Sequence, residues 1–384
     1  MRRLLGVVFV VGAVAGCSSP VPGLPAPASG AGPSAAPAPA TTTATTATAA
    51  PAAAGFTVIA GGDVLIHPAL TEQAESDGGS GRDYAPLLAG IRPAVEGADL
   101  AVCHLEVPLA GADGPFAGYP RFIAPPEVAT GLAETGYDVC TTASNHTMDH
   151  GEQGALSTLD ALEAAGLAYT GSARDREDAE TPLVLDVPGA KVGWLSHTFA
   201  FNSGTERPSG KPWMSNVIDV GEIIAEAEAA REAGADVVVA SLHWGVEGSH
   251  EATAEQRDIA ERLLGDPAVD LIIGHHAHVV QPFEKVNGKW VTYGLGNQVA
   301  RHAEPKGTTE EGALARFRFV EQDGAWTVSE AEYLPTLVDL GPPIRLLDLT
   351  ETGEGARAAE AIARTEEIVT SLGADADGLT RPGA

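Results

Sequence analysis

The sequence predicts an α/β fold built on parallel strands, from three observations. Short runs rich in Val, Ile and Leu alternate with stretches of helical periodicity. The runs are almost unbroken in apolar character, as strands covered on both faces are. Five of them end on residues able to do chemistry: Asp63, Glu106, Asn145-His146, His243 and His276/His278.

Taken in order, "FTVIAGGD" (56–63) reads as a strand running into a glycine turn. A helix is expected over 84–98 with Pro93 inside it, then a strand over 98–106, "ADLAVCHLE". A helix at 126–136 precedes a third strand, 137–146, and a helix follows at 152–166. Residues 182–197 look like an antiparallel hairpin about a Pro-Gly turn. Helices at 219–234 and 253–266 alternate with strands at 235–245 and 269–278. Further antiparallel pairing is expected at 289–297 and 312–335, then a helix at 355–371 and a loose tail at 372–384. Pro at helix starts and Gly just past helix ends support these boundaries. There is no tandem repeat.

The first residues set the compartment. "MRRLLGVVFVVGAVAGC" has two arginines, a short apolar stretch and a small-residue cleavage site, the pattern of a secretory leader. The apolar stretch falls short of the roughly 20 residues of a membrane span. Cys17 directly after Val-Ala-Gly resembles a lipoprotein cleavage site. A leader over 1–16, a lipidated Cys17, and export to the outer face of the cytoplasmic membrane or cell envelope are therefore expected. Residues 17–54 are rich in Pro, Ala and Thr and carry no charge, which suits a disordered tether reaching on the order of 100 Å. The folded domain is expected over 55–350, with 351–384 forming the last helix and the tail.

The chain has 52 acidic against 23 basic residues and a formal net charge of −29. That balance excludes nucleic acid as a partner and leaves the lipid anchor as the only membrane contact. An anionic substrate needs local positive charge, which a bound metal supplies. Cys103 and Cys140 both fall in strands. An oxidising exterior permits a bridge between them, and two buried free thiols fit equally well.

The densest signal is "LIIGHHAHVVQP" (271–282), which places His275, His276 and His278 at a strand end. Alternation along a strand turns His276 and His278 one way and His275 the other. A shared metal ion is the simplest reason to hold such imidazoles together. In α/β sheets the carboxyl ends of the strands meet in one site, so Asp, Glu, Asn and His from five ends would converge there. Such oxygen and imidazole donors suit a pair of divalent ions, Mn, Zn or Fe.

At these residues the chain resembles a family. "GGDVLIHP", "HLEVPLA", "ASNHTMDHGEQGALSTLDALEAAG", "LHWGVE", "GHHAHVVQP" and "YGLGNQV" look like the motifs of the CapA (PgsA) proteins of capsule or poly-γ-glutamate synthesis. These belong to the calcineurin-like metallophosphoesterase superfamily. The resemblance implies a four-layer α/β/β/α sandwich of two mixed sheets with a two-metal site on one edge. It implies that Asp63 ligates one metal with His278, that Glu106 bridges both, and that Asn145, His243 and His276 hold the second. His146 would be the general acid. Two positions depart from the pattern: Leu65 stands where the superfamily has a histidine, and His104 where the family has asparagine. His67 either substitutes for the missing ligand or lines the pocket.

His104, Asp149, His150, His275 and Asn297 are further candidates for the pocket or for partners that orient the ligands, as is His197. For Trp244 and Glu247, plain packing and solvent exposure compete with a place in the groove. Three functions stay open: a surface lipoprotein that makes or processes capsule polymer, a phosphoesterase of envelope or nucleotide phosphoesters, and a non-catalytic subunit of a membrane-bound polymer synthase.

Overall fold

The computed structural model of the protein describes residues 55–383. The expected leader, Cys17 and the tether lie outside them. Among the described residues, no helix is long and apolar enough to cross a membrane.

Fifteen strands are described. In chain order they begin with β1 (Gly55–Val64), β2 (Leu100–Leu105), β3 (Val139–Thr141), β4 (Ala168–Thr170) and β5 (Val184–Val187). Then come β6 (Ala190–Thr198), β7 (Val237–His243), β8 (Leu271–His275), β9 (Phe283–Val286) and β10 (Lys289–Thr292). The last are β11 (Asn297–Val299), β12 (Glu311–Gln322), β13 (Ala325–Asp339), β14 (Arg345–Asp348) and β15 (Leu379–Thr380). One sheet runs β14-β13-β12-β1-β2-β3-β4, with β11 on β1 and β15 on β13; the other runs β5-β6-β7-β8-β10-β9. Both are mixed, with parallel strands at their centres.

Residue parity sorts the core into layers. Phe56, Val58, Leu100, Val102, Val237, Val239, Leu271 and Ile273 face the seam between the sheets. Their neighbours Ile59, Ala101 and Cys103 pack under helices such as Glu127–Thr135. On the other sheet Val238, Ala240, Leu242 and Ile272 pack under Val220–Glu232 and Ala254–Leu264. The order is helices, sheet, sheet, helices, as expected.

Several elements differ from the sequence reading. The helix at 84–98 is three short pieces, the last of which starts at Arg92 with Pro93 in its first turn, where a missing N–H costs nothing. The expected hairpin at 182–197 is present as β5 against β6, and β6 also pairs in parallel with β7, which joins it to the sheet. The tail is not loose: β15 adds to β13, and Ala374 and Leu379 are buried in the inter-sheet core. The domain therefore continues through the last helix, Ala356–Val369, and beyond. Cys103 and Cys140 are register partners on β2 and β3, with Cα atoms 4.6 Å apart, and form a disulfide.

Candidate metal centre

The parity that builds the inter-sheet core also builds the site. Continuing the seam-facing series of β2, β7 and β8 by two-residue steps gives His104, His243 and His275. Asp63 pairs in register with His104, and His243 with His275. Four polar groups thus cap the seam where its apolar filling stops. Gly62 lets this happen, since a Cβ there would lie 2.1 Å from the Gly296 carbonyl oxygen. The close approach sets Asp63 beside Asn297 of β11.

Two strands end earlier than expected. β3 stops at Thr141, so Asn145, His146 and Asp149 sit on the following turn. β8 stops at His275, and the next histidines take left-handed backbone, φ 88° at His276 and 56° at His278. Each costs on the order of 1–2 kcal/mol in a non-glycine residue. The turn swings His276 and His278 back over the strand end. His275 therefore does not point away from them, as simple alternation required, and all three imidazoles converge.

Hydrogen-bond accounting assigns the ring protons. Thr141 Oγ1 donates to the Cys103 carbonyl at 3.2 Å, so it accepts from His104 Nδ1 at 2.8 Å. His104 Nε2 is then an acceptor and takes the Nδ1 proton of His243 at 2.9 Å. That leaves a lone pair on His243 Nε2, aimed at Asn145 Oδ1 2.9 Å away and at Glu106 Oε1 at 3.9 Å. Asn145 keeps its oxygen toward His243 because its amide donates to Asn202 Oδ1 at 3.3 Å. Three acceptors facing one another repel unless a cation lies among them.

The carboxylates tell the same story. Glu106 is fully buried and neither of its oxygens has a hydrogen-bond partner. His278 Nε2 is 3.5 Å from Glu106 Oε1, while His278 Nδ1 is 3.0 Å from Asn297 Oδ1 and 3.2 Å from Asp63 Oδ2. Two groups of donors close enough to hold an ion emerge, Asp63 with His104 and His243, and Glu106 with His276 and His278. Burial, reinforced by the Asp63 charge, pushes the Glu106 carboxyl up to about 7. Burial also raises Asp63, but His275 and His278 outweigh it and hold that carboxyl well below its ordinary value. Burial lowers His278, yet Glu106 and Asp63 lift it to about 10. Burial and the neighbouring rings keep His104, His243 and His276 neutral. Asp63 and His278 compensate each other, and Glu106 is the surplus negative charge. The donor set fits divalent metal.

Beside the cluster, His146 Nδ1 contacts Asp149 Oδ2 at 2.6 Å, and the same oxygen accepts from the Phe122 amide. Burial pulls the His146 pKa down, but the Asp149 bond and the Glu106 charge raise it overall. A cleft of about 800 Å³ opens here, lined by His67, Phe122, His146, Glu247, Arg301 and Lys306 among others. His67 belongs to this wall, its Nδ1 3.1 Å from the Leu65 carbonyl and its ring 4.6 Å from that of His302. Exposed Glu247 lines the cleft, whereas Trp244 is buried under Tyr293 on the helix side. His150 is exposed, near the Arg121 carbonyl. His197 faces the helix layer and pairs with Glu226 at 3.0 Å, away from the seam-capping cluster.

The sequence reading missed Phe199, Asn202, Arg301 and His302. Phe199 covers the His276 ring at 4.6 Å, and Asn202 Nδ2 lies 3.1 Å from His146 Nδ1. They follow β6 and β11, both parallel to central strands and so ending at the same edge. Applying the strand-end rule to 190–198 and 297–299 would have found them.

A family model described as "Bacterial capsule synthesis protein PGA_cap" matches residues 57–302. The chain is 30% identical over 195 residues to the capsule biosynthesis protein CapA of Bacillus anthracis, covering 50% of this chain and 46% of that protein. It is 31% identical over 169 residues to the PGA biosynthesis protein CapA of Bacillus subtilis, covering 44% of each. The chain thus spans about half the length of the curated relatives it matches. Among solved structures, the calcineurin-like phosphoesterase YfkN of Bacillus subtilis aligns with a TM-score of 0.41 at 15% identity, covering 82% of this chain and 97% of that one. A phosphatase of Mycoplasma pneumoniae aligns with a TM-score of 0.43 at 14% identity, covering 74% and 94%.

Proposed function

This chain belongs to the PGA_cap family of bacterial capsule synthesis proteins, and from that premise we propose that it processes an anionic capsule-type polymer such as poly-γ-glutamate as a metal-dependent hydrolase. The observation that carries the reading is the convergence of three acceptors, His243 Nε2, Asn145 Oδ1 and a Glu106 carboxylate that accepts no hydrogen bond, on one buried point.

Two divalent ions bound there would lower the pKa of a water between them toward 7 and stabilise the negative charge that develops on the attacked group. Asp63 and His278 would serve one ion, Asn145, His243 and His276 the other, and Glu106 both. Asp149 holds His146 Nδ1, leaving Nε2 for the cleft as the proton donor to the departing group. Arg301 and Lys306 line the cleft, but so do Glu72, Glu247 and Glu304. The wall alone does not attract a polyanion, so the bound ions do.

Purified protein is expected to carry close to two equivalents of transition metal per chain by elemental analysis, and His276→Ala at least one fewer. With Mn²⁺ or Zn²⁺ the wild type is expected to cleave γ-linked glutamate oligomers. Turnover of a phosphodiester alone moves the reading to an envelope or nucleotide phosphoesterase, which the His146–Asp149 pair also suits. Inactivity on both with polymer binding intact makes the chain a binding subunit of a membrane-bound synthase.

We also propose that the protein is exported and held at the envelope through lipidated Cys17. Cys17→Ala is then expected to leave the membrane fraction for the soluble exported fraction; retention at the membrane rules the anchor out.

A further inference from the structure

We propose that His275 is a direct metal ligand, binding through Nδ1 beside Asp63. The inference rests on the two-metal reading above and supplies a donor that the reading lacks. At position 65, the residue after next from Asp63, the buried Leu65 side chain belongs to the core cluster under the helices and offers no donor atom.

The geometry is specific. His275 Nδ1 lies 3.5 Å from Asp63 Oδ1. That separation suits two donors on one ion, since bonds of about 2.0–2.1 Å in a tetrahedral arrangement set donors roughly 3.4 Å apart. The other imidazole nitrogen near this carboxylate, His278 Nδ1, also meets Asn297 Oδ1 at 3.0 Å. His104 is engaged at both ends, by Thr141 and by His243. His275 is not: its Nε2 is buried with no partner, and its Nδ1 meets only the Asp63 carboxylate, at 3.5 Å and outside good hydrogen-bond geometry. A ring nitrogen buried without a well-formed hydrogen bond costs on the order of 1–3 kcal/mol.

The ring is also held in place. It lies flat against His104, with centroids 4.0 Å apart and 16° between planes. Main-chain pairing of His275 with His243 across β7 and β8 fixes its height in the seam. A side chain with this support and no hydrogen bonds is placed for a ligand. Packing alone would be served better by an apolar ring.

That contrast supplies the test. His275→Phe keeps a flat ring on His104 and removes the nitrogens. The chelated wild type and variant are each titrated with Co²⁺ without substrate, following visible absorption and heat. The wild type is expected to bind two Co²⁺, while the variant keeps one site and loses at the other more than the roughly 100-fold that removing an outer-shell partner costs. The melting temperature of the metal-free variant should match or exceed that of the wild type. In His275→Ala, added imidazole should restore the weakened site by filling the space with a free donor.

Two wild-type affinities in His275→Phe would overturn the proposal and leave the two-metal reading intact. A wild type that binds no Co²⁺ would overturn that reading itself. The two failures give different titrations.

Discussion

Replacing Glu106 with methionine is expected to raise the melting temperature of the metal-free protein and to abolish its stabilisation by metal. The two effects share one cause. Glu106 is 0% exposed and neither of its oxygens is hydrogen-bonded, and the one imidazolium beside it, His278 at 3.5 Å, keeps Asp63 at 3.2 Å as a second carboxylate partner. An unbranched thioether of similar length removes the surplus carboxyl without opening a large cavity. Relief of an unsatisfied buried carboxyl is worth on the order of 1–3 kcal/mol. The sign with pH follows from the shift. Folding raises this carboxyl from 4.5 to about 7, so its contribution to stability is present below about 4.5 and lost as pH rises through 7. The advantage of the metal-free variant should therefore grow from about pH 4.5 to about pH 7 and level off above. With metal the order reverses. Each ion at a hundred times its Kd contributes about 2.7 kcal/mol to the wild type, and a variant without the shared carboxylate forfeits most of it. Calorimetry of both proteins, with chelator and with Mn²⁺, reads all of this. A metal-free variant that melts well below the wild type, yet still responds fully to metal, would make Glu106 an ordinary structural acid.

Much of this arrangement was legible in the chain because strand parity is strict. Once Leu100, Val102 and His104 are read as one face of β2, and Val237, Val239, Ser241 and His243 as one face of β7, their histidines must share a surface. The sequence does not say which face is the seam, because both faces of a central strand are apolar. Nor does it mark where β8 ends. The left-handed backbone of His276 and His278 is set by tertiary contacts, including the His276 amide donating to Asp63 from 213 positions away. No local pattern encodes that.

The loops were harder still. Asn202 touches both Asn145 and His146, yet "FNSGTERPSG" (201–210) has only turn-forming composition to show for it. The docked tail was missed for a similar reason. Two strand residues, Leu379 and Thr380, are too few to show alternation, and what holds them is the edge of β13. His104 is the instructive case. Against the family pattern it is a departure that puts the first metal in doubt. In the structure it fixes the proton of His243, so the lone pair faces Asn145 and Glu106.

His146→Gln is expected to lower kcat on substrates with strongly basic leaving groups by about 10²–10⁴, with metal content unchanged. Two neighbouring residues have different jobs in this corner of the site. Asn145 turns its oxygen to His243, while His146 turns its Nδ1 to Asp149 and its ring edge-on to Phe122, with centroids 4.9 Å apart. Glutamine fills the position and still bonds Asp149, but it carries no transferable proton. The loss should therefore depend on the leaving group. A p-nitrophenolate departs without a proton, so the same variant should cleave its esters at near the wild-type rate. An amide or alkyl ester needs the proton and should show the full deficit. A residue that merely supported the loop would slow both substrates equally and would disturb Asn145, which elemental analysis would register as lost metal. Equal deficits on both leaving groups would place the general acid elsewhere in the cleft, with His302 next in line: its ring lies 4.6 Å from that of His67 and 6.3 Å from that of His278.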